Sequence, residues 1–118
     1  LCKKRIIDTL FGSQGKSMLA YPMRVVYMPL EASEPTQIMV IVPKKRFHRA
    51  VKRNRVKRQM REAYRKQKEL LLPQLQAKGI SMAMAFIWID DKLHPSGTVD
   101  EKMKNLLVRI GEKLNSHA

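Results

Sequence analysis

The feature that most constrains this chain is a basic run. Residues 44–68 hold 13 Lys or Arg among 25 positions, and Glu62 is the lone acid there. That window carries +12 of the formal +14, so the remainder of the 118 residues is nearly neutral. Residues 51–72 contain neither Gly nor Pro and read as one helix. Val56, Met60, Ala63 or Tyr64, and Leu70 or Leu71 give it an apolar stripe to bury. Arg53, Lys57, Arg61 and Arg65 recur every four residues on a different face, with Asn54 and Arg58 beside them. Surface helices usually intersperse signs to gain i,i+4 pairs. Here like stands over like, at about 0.2–0.5 kcal/mol per pair. Phosphates reverse that sign, so the run points to nucleic acid. An anionic membrane surface is the weaker candidate, because the apolar stripe is narrow and needed for a core.

The rest of the chain supplies that core. Hydrophobic residues make up 44%, too many for disorder throughout, and the length fits one domain spanning residues 1–118. Ile6, Ile7, Leu10 and Phe11 recur at helical spacing and predict a short helix over 4–12, closed by Gly12, Ser13 and Gly15. Residues 18–20 read as a brief strand and 21–28 as a longer one, with Pro22 near its start. After a polar turn over 30–35, residues 37–42 form a strand apolar on both faces and hence central. These two longer strands are expected to make an antiparallel hairpin. Pro73 and Gly79 bracket a loop. In the strand over 80–89, Ile80, Met82, Met84, Phe86 and Trp88 point one way, while Ser81, Ala83, Ala85, Ile87 and Ile89 point the other. Thr98-Val99-Asp100-Glu101 matches a capping box with Thr98 at the N-cap. The final helix then buries Val99, Met103, Leu106 or Leu107, Ile110 and Leu114. The fold class is α+β, with helices packed on a small sheet.

Little of this can carry chemistry alone. Cys2 is the single cysteine, which excludes an intrachain disulfide and a cysteine zinc site. His48, His94 and His117 lack metal-ligand spacing and read as surface histidines. No phosphate loop or nucleophile elbow is visible. Asp90-Asp91 is the one tight acid pair, and its place after a strand reads as turn chemistry rather than as a metal site. A free-standing endonuclease is therefore a rival that rests on those two residues. The longest apolar run, residues 82–89, has 8 residues, against roughly 20 for a membrane span. The chain opens on Leu1 rather than Met, which allows for residues upstream, and its first residues lead into no apolar signal core. A cytoplasmic protein is expected.

The segment Lys44-Lys45-Arg46-Phe47-His48-Arg49-Ala50-Val51-Lys52-Arg53-Asn54-Arg55-Val56-Lys57-Arg58-Gln59-Met60-Arg61-Glu62-Ala63-Tyr64-Arg65 resembles the signature of the bacterial ribonuclease P protein component. The family's Arg-Asn-Arg box corresponds to Arg53-Asn54-Arg55, followed by Lys57, Arg58 and Arg61, with Lys44-Lys45 as its double lysine. The resemblance implies a fold related to the second domain of ribosomal protein S five. There the basic helix joins two parallel strands by a left-handed crossover, against the usual right-handed preference. It also implies maturation of precursor tRNA by hydrolysis of the phosphodiester joining the 5′ leader to the mature end. Catalytic Mg2+ would be held mainly by the RNA subunit, with this chain as accessory. By the same resemblance, Lys44, Lys45, Arg53, Asn54, Arg55, Lys57, Arg58 and Arg61 dock on the RNA subunit. Phe11 and Tyr27 would hold the leader in a cleft between the first helix and the sheet, although Ile7 stands where the family has its first helix aromatic. The partners implied are the RNA subunit and precursor tRNA, with no membrane and no protein partner. The alternative reading is a ribosomal or ribosome-assembly RNA-binding protein.

Overall fold

A computed structural model of the chain describes residues 8, 11–12, 15–31, 33 and 35–116. The helix expected over 4–12 lies outside them, apart from Asp8, which has helical backbone, and Phe11 and Gly12, which form a turn. Four strands follow: β1 (Lys16–Ala20), β2 (Met23–Glu31), β3 (Gln37–Ile41) and β4 (Ile80–Trp88). The helices among the described residues are α1 (Ala50–Gln67), α2 (Leu72–Lys78) and α3 (Ser96–Ser116), with a single 3-10 turn at Lys68–Leu70.

The sheet order is β1-β2-β4-β3. β1 and β2 are antiparallel, with Ala20 opposite Met23, so Tyr21-Pro22 is the two-residue turn between them and its peptide bond is cis. Pro22 therefore sits in a turn, not at a strand start. The expected hairpin between the second and third strands does not form. β2 pairs antiparallel with β4, and β3 pairs parallel with β4. β3 is thus an edge strand, and all five of its residues are half-buried. Its apolar character reflects cover from neighbours on both faces, not a central place. β4 takes the centre, and its alternation sorts its side chains as expected. Met82, Met84, Phe86 and Trp88 face the helices in the main core, while Ala83 and Ala85 join Val26 and Met28 on the opposite face.

The main core lies between the sheet and the helices. Met60 and Val56 of α1, Leu75 of α2, and Val99, Met103, Leu106, Leu107 and Ile110 of α3 are fully or almost fully buried in it. Each such side chain contributes about 1.5–3 kcal/mol relative to exposure. Seven of the 8 methionines are buried (Met18, Met23, Met28, Met60, Met82, Met84 and Met103). Flexible thioethers fill uneven gaps, Met28 on the far face of the sheet and the other six between the sheet and the helices.

The helices differ from the sequence reading at three places. The helix expected over 51–72 stops at Gln67, and the stretch bracketed by Pro73 and Gly79 is α2 rather than a loop. Proline favours the first turn of a helix and glycine the left-handed C-cap. Pro73 stands in that first turn, and Gly79 has φ 67° with its amide donating back to Gln76 O at 3.0 Å. The capping box does not form at Thr98. α3 begins two residues earlier, and the amides of Thr98 and Val99 donate to Pro95 O at 3.0 and 3.2 Å.

Candidate nucleic-acid interface

Strand β3 ends at the basic run, and the first turn of that run is pinned before the helix starts. Arg46 N donates to Pro43 O at 3.0 Å. The ring of Phe47 is buried in the main core, fixing a segment rich in Lys and Arg. Arg49 takes extended backbone at the N-cap, and no side chain caps α1. Instead Arg53 reaches back. Its Nη1 donates to Phe47 O at 2.8 Å and to His48 O at 3.0 Å.

Along α1, Val56, Met60, Ala63 and Tyr64 face the core. One flank is stitched to α3 and the loop before it. Gln59 Nε2 donates to His94 O at 3.1 Å, Gln67 Nε2 to Asp100 O at 2.8 Å, and Lys66 Nζ meets Asp100 Oδ2 at 2.9 Å. These contacts set how the helix is rotated, and rotation decides which cations point outward.

The row Arg53, Lys57, Arg61 and Arg65 does not share one face. Each residue of an α-helix turns about 100°, so four residues overshoot a full turn by about 40°. Arg53 and Lys57 therefore lie half-buried at the rim, while Arg61 and Arg65 are exposed. The outermost ridge is Asn54, Arg58, Arg61 and Arg65, with Arg55 alongside, all exposed. Arg65 is not bare: it closes an ion pair on Glu62 one turn back, and that guanidinium holds the Glu62 carboxyl below the usual range. Lys44 and Lys45 are exposed just before the helix. Among the described residues, Lys44, Lys45, Arg55, Lys57, Arg58 and Arg61 make no ion pair or side-chain hydrogen bond. Arg53 differs from its companions in the box, since its guanidinium already holds backbone.

The aromatics are placed apart. Tyr27 is 5% exposed and forms one wall of a cavity of about 330 Å³. Ile80, Met82 and Leu114 give that cavity an apolar lining, and Lys16, Lys78 and Lys113 add cationic chains. Burial pushes the Tyr27 phenol up, and the Arg109 charge partly offsets this. Phe11 is 47% exposed and does not line this cavity. The lysines here escaped the sequence reading because they are isolated in sequence and meet only when β1, the end of α2 and the end of α3 come together.

The acids do turn chemistry. Asp91 N donates to Asp90 Oδ1 at 2.7 Å, and His94 Nε2 meets Asp90 Oδ2 at 2.6 Å. That histidine, a hydrogen bond from Tyr21 and backbone donors hold the Asp90 carboxyl low. His94 also stands edge-on to Trp88 at 5.5 Å between ring centres, so it is a half-buried, bonded residue rather than a loose surface one. Among the described residues, no three His, Cys, Asp or Glu are grouped so as to hold a metal ion. Nor is any described helix long and apolar enough to cross a membrane.

A mixed sheet, a crossover helix between the parallel neighbours β3 and β4, and a cationic ridge on which Arg58 and Arg61 are unpaired among the described residues fit one class, the small α+β protein of a ribonucleoprotein. The family model described as Ribonuclease P matches residues 1–110, and the chain belongs to that family. The ribonuclease P protein components of two Porphyromonas gingivalis strains are each 45% identical over 114 residues, 95% of this chain and 82% of theirs. That of Chlorobium phaeobacteroides is 34% identical over 99 residues, 75% of this chain and 67% of its own. Among solved structures, the RNase P protein from Thermotoga maritima is similar with a TM-score of 0.73 at 23% identity, covering 92% of this chain and 94% of that one. The Staphylococcus aureus RNase P protein gives a TM-score of 0.71 at 17% identity, covering 95% of this chain and 94% of that one.

Proposed function

We propose that the ridge of α1 docks this chain on the catalytic RNA of ribonuclease P in the cytoplasm, and that the Tyr27 cavity holds the single-stranded 5′ leader of precursor tRNA. The observation that carries the first half is the row Arg55, Arg58 and Arg61, exposed and unpaired among the described residues. Guanidinium forks grip phosphate oxygens bidentately. Lys57 from the rim, and Lys44 and Lys45 before the helix, add point charges, and Asn54 adds an amide that can both donate and accept. Arg53 acts chiefly by holding the segment that starts the helix.

The second half rests on chemistry suited to unpaired nucleotides. A phenol ring and an apolar floor accept a base, while lysines at the mouth meet its phosphates. Phe11 is exposed and outside the cavity, and its ring is open to solvent for a stacked base. Glu62, Asp90, Asp91 and Asp100 are engaged in turns and ion pairs, and on this reading hydrolysis of the leader phosphodiester belongs to Mg2+ held by the RNA subunit. This chain supplies binding and screening of charge. The test is reconstitution: added to a bacterial ribonuclease P RNA at low magnesium, the protein is expected to restore 5′ processing of precursor tRNA. No stimulation at any protein concentration overturns the reading.

A further inference from the structure

We infer that the cavity at the start of α1 is a phosphate pocket in which Arg46, His48, Arg49 and Lys52 take one backbone phosphate of RNA. The inference rests on the docking role proposed above and adds a site outside the Arg-Asn-Arg box. The cavity measures about 270 Å³, and Phe47 and Asp91 complete its lining. Its charge is lopsided: Arg46, Arg49 and Lys52 face a single carboxylate. That carboxylate, Asp91, is 70% exposed and already lies 3.3 Å from Arg46 Nη1.

Three features make the pocket a built one. The buried Phe47 ring and the Arg46-to-Pro43 turn fix its wall. The carbonyls of Phe47 and His48, which would repel an anion, are both taken up by Arg53. Half-buried Arg46 is already held in place through Asp91 at 3.3 Å, so one cation of the lining is ordered before any anion arrives. Three of the six lining residues are Arg or Lys, a composition suited to backbone phosphate rather than to base edges. Lys52 precedes Arg55 and Arg58 along α1, so an RNA strand lying on the ridge runs its backbone directly into this cavity.

Two double variants of the full chain separate this site from the ridge. Arg49→Gln with Lys52→Gln empties the pocket of two charges, and Arg58→Gln with Arg61→Gln does the same to the ridge. All four side chains are exposed, so melting temperatures should match the parent protein. Binding to a bacterial ribonuclease P RNA is measured across a salt series. The pocket variant is expected to bind about tenfold more weakly, with the salt slope shallower by about 1. Inorganic phosphate, titrated into the parent protein, should shift the amide signals of residues 46–52 and leave them still in the pocket variant. If the ridge variant alone loses RNA affinity, or if phosphate moves these signals equally in both proteins, the pocket is refuted while the docking role stands. If neither variant loses affinity, the docking role itself fails.

Discussion

Arg53 Nη1 lies 2.8 Å from the carbonyl oxygen of Phe47, and this bond ties the first turns of α1 to a residue ahead of the helix whose ring is buried in the main core. The helix has no capping side chain, and Arg53, which can only donate, fixes the carbonyls ahead of the helix rather than the first-turn amides that an N-cap Ser or Asp would accept from. A charged donor on a part-buried carbonyl is worth about 1.5–3 kcal/mol. Arg53→Ala should therefore lower the melting temperature and raise hydrogen exchange of amides 46–53. Its loss of RNA affinity should be partly recovered at low temperature, where the helix start re-forms. An unchanged melting temperature would assign Arg53 to RNA contact alone.

Arg58 and Arg61 behave oppositely. Both are exposed and lack partners among the described residues. Arg58→Ala or Arg61→Ala should shift stability by less than about 0.5 kcal/mol, yet weaken binding to the RNA subunit about tenfold each. With about 6 phosphates neutralised, the parent protein should show a log-log salt slope near −4 to −5. A filter-binding series from low to moderate salt measures this directly. A slope near zero contradicts an electrostatic interface.

The Asp90 carboxyl is held low, first by His94, then by Tyr21 and backbone donors. A depressed carboxyl stabilises the fold at pH values above its unfolded pKa of about 4. That stabilisation is lost as pH falls through the lower folded value. Asp90→Asn should melt a few degrees below the parent protein at pH 7, and the gap should close as pH is taken from about 4 toward 2. A gap constant across that range would show that bond geometry, not charge, supports the turn. The same variant keeps RNA affinity at pH 7 if, as argued, Asp90 serves the turn.

Local pattern was legible where one residue's neighbours in sequence are also its neighbours in space. The stripe Val56, Met60 and Ala63 and the α3 face from Val99 to Ile110 are buried as their spacing requires. Strand partners were not legible. Residues 37–41 carry the same apolar content whether they pair with β2 or with β4, and the choice is made by a crossover that ends more than 30 residues later. Pro73 and Gly79 misled because the residues that break a helix also begin and end one. In the candidate site, spacing located the cations but not their partners. Glu62 claims Arg65, and backbone oxygens claim Arg53, through distances that composition does not encode.

Tyr27 supplies the last test, because its ring serves both packing and the cavity. It is 5% exposed, a member of the main core and one wall of the space between Lys16 and Lys78. Tyr27→Leu keeps an apolar side chain but removes the face on which a base can lie. Base–aromatic stacking is worth about 1–3 kcal/mol, so the reconstituted enzyme should bind leader-bearing precursor tRNA at least about fivefold more weakly. Its affinity for mature tRNA, which has no leader, should be unchanged. Tyr27→Phe retains the ring and should bind both as the parent does. Comparing precursor with mature tRNA cancels any general loss of folded protein, since that would weaken both alike. Equal loss for the two RNAs would place Tyr27 in the core alone and move the leader elsewhere on the protein.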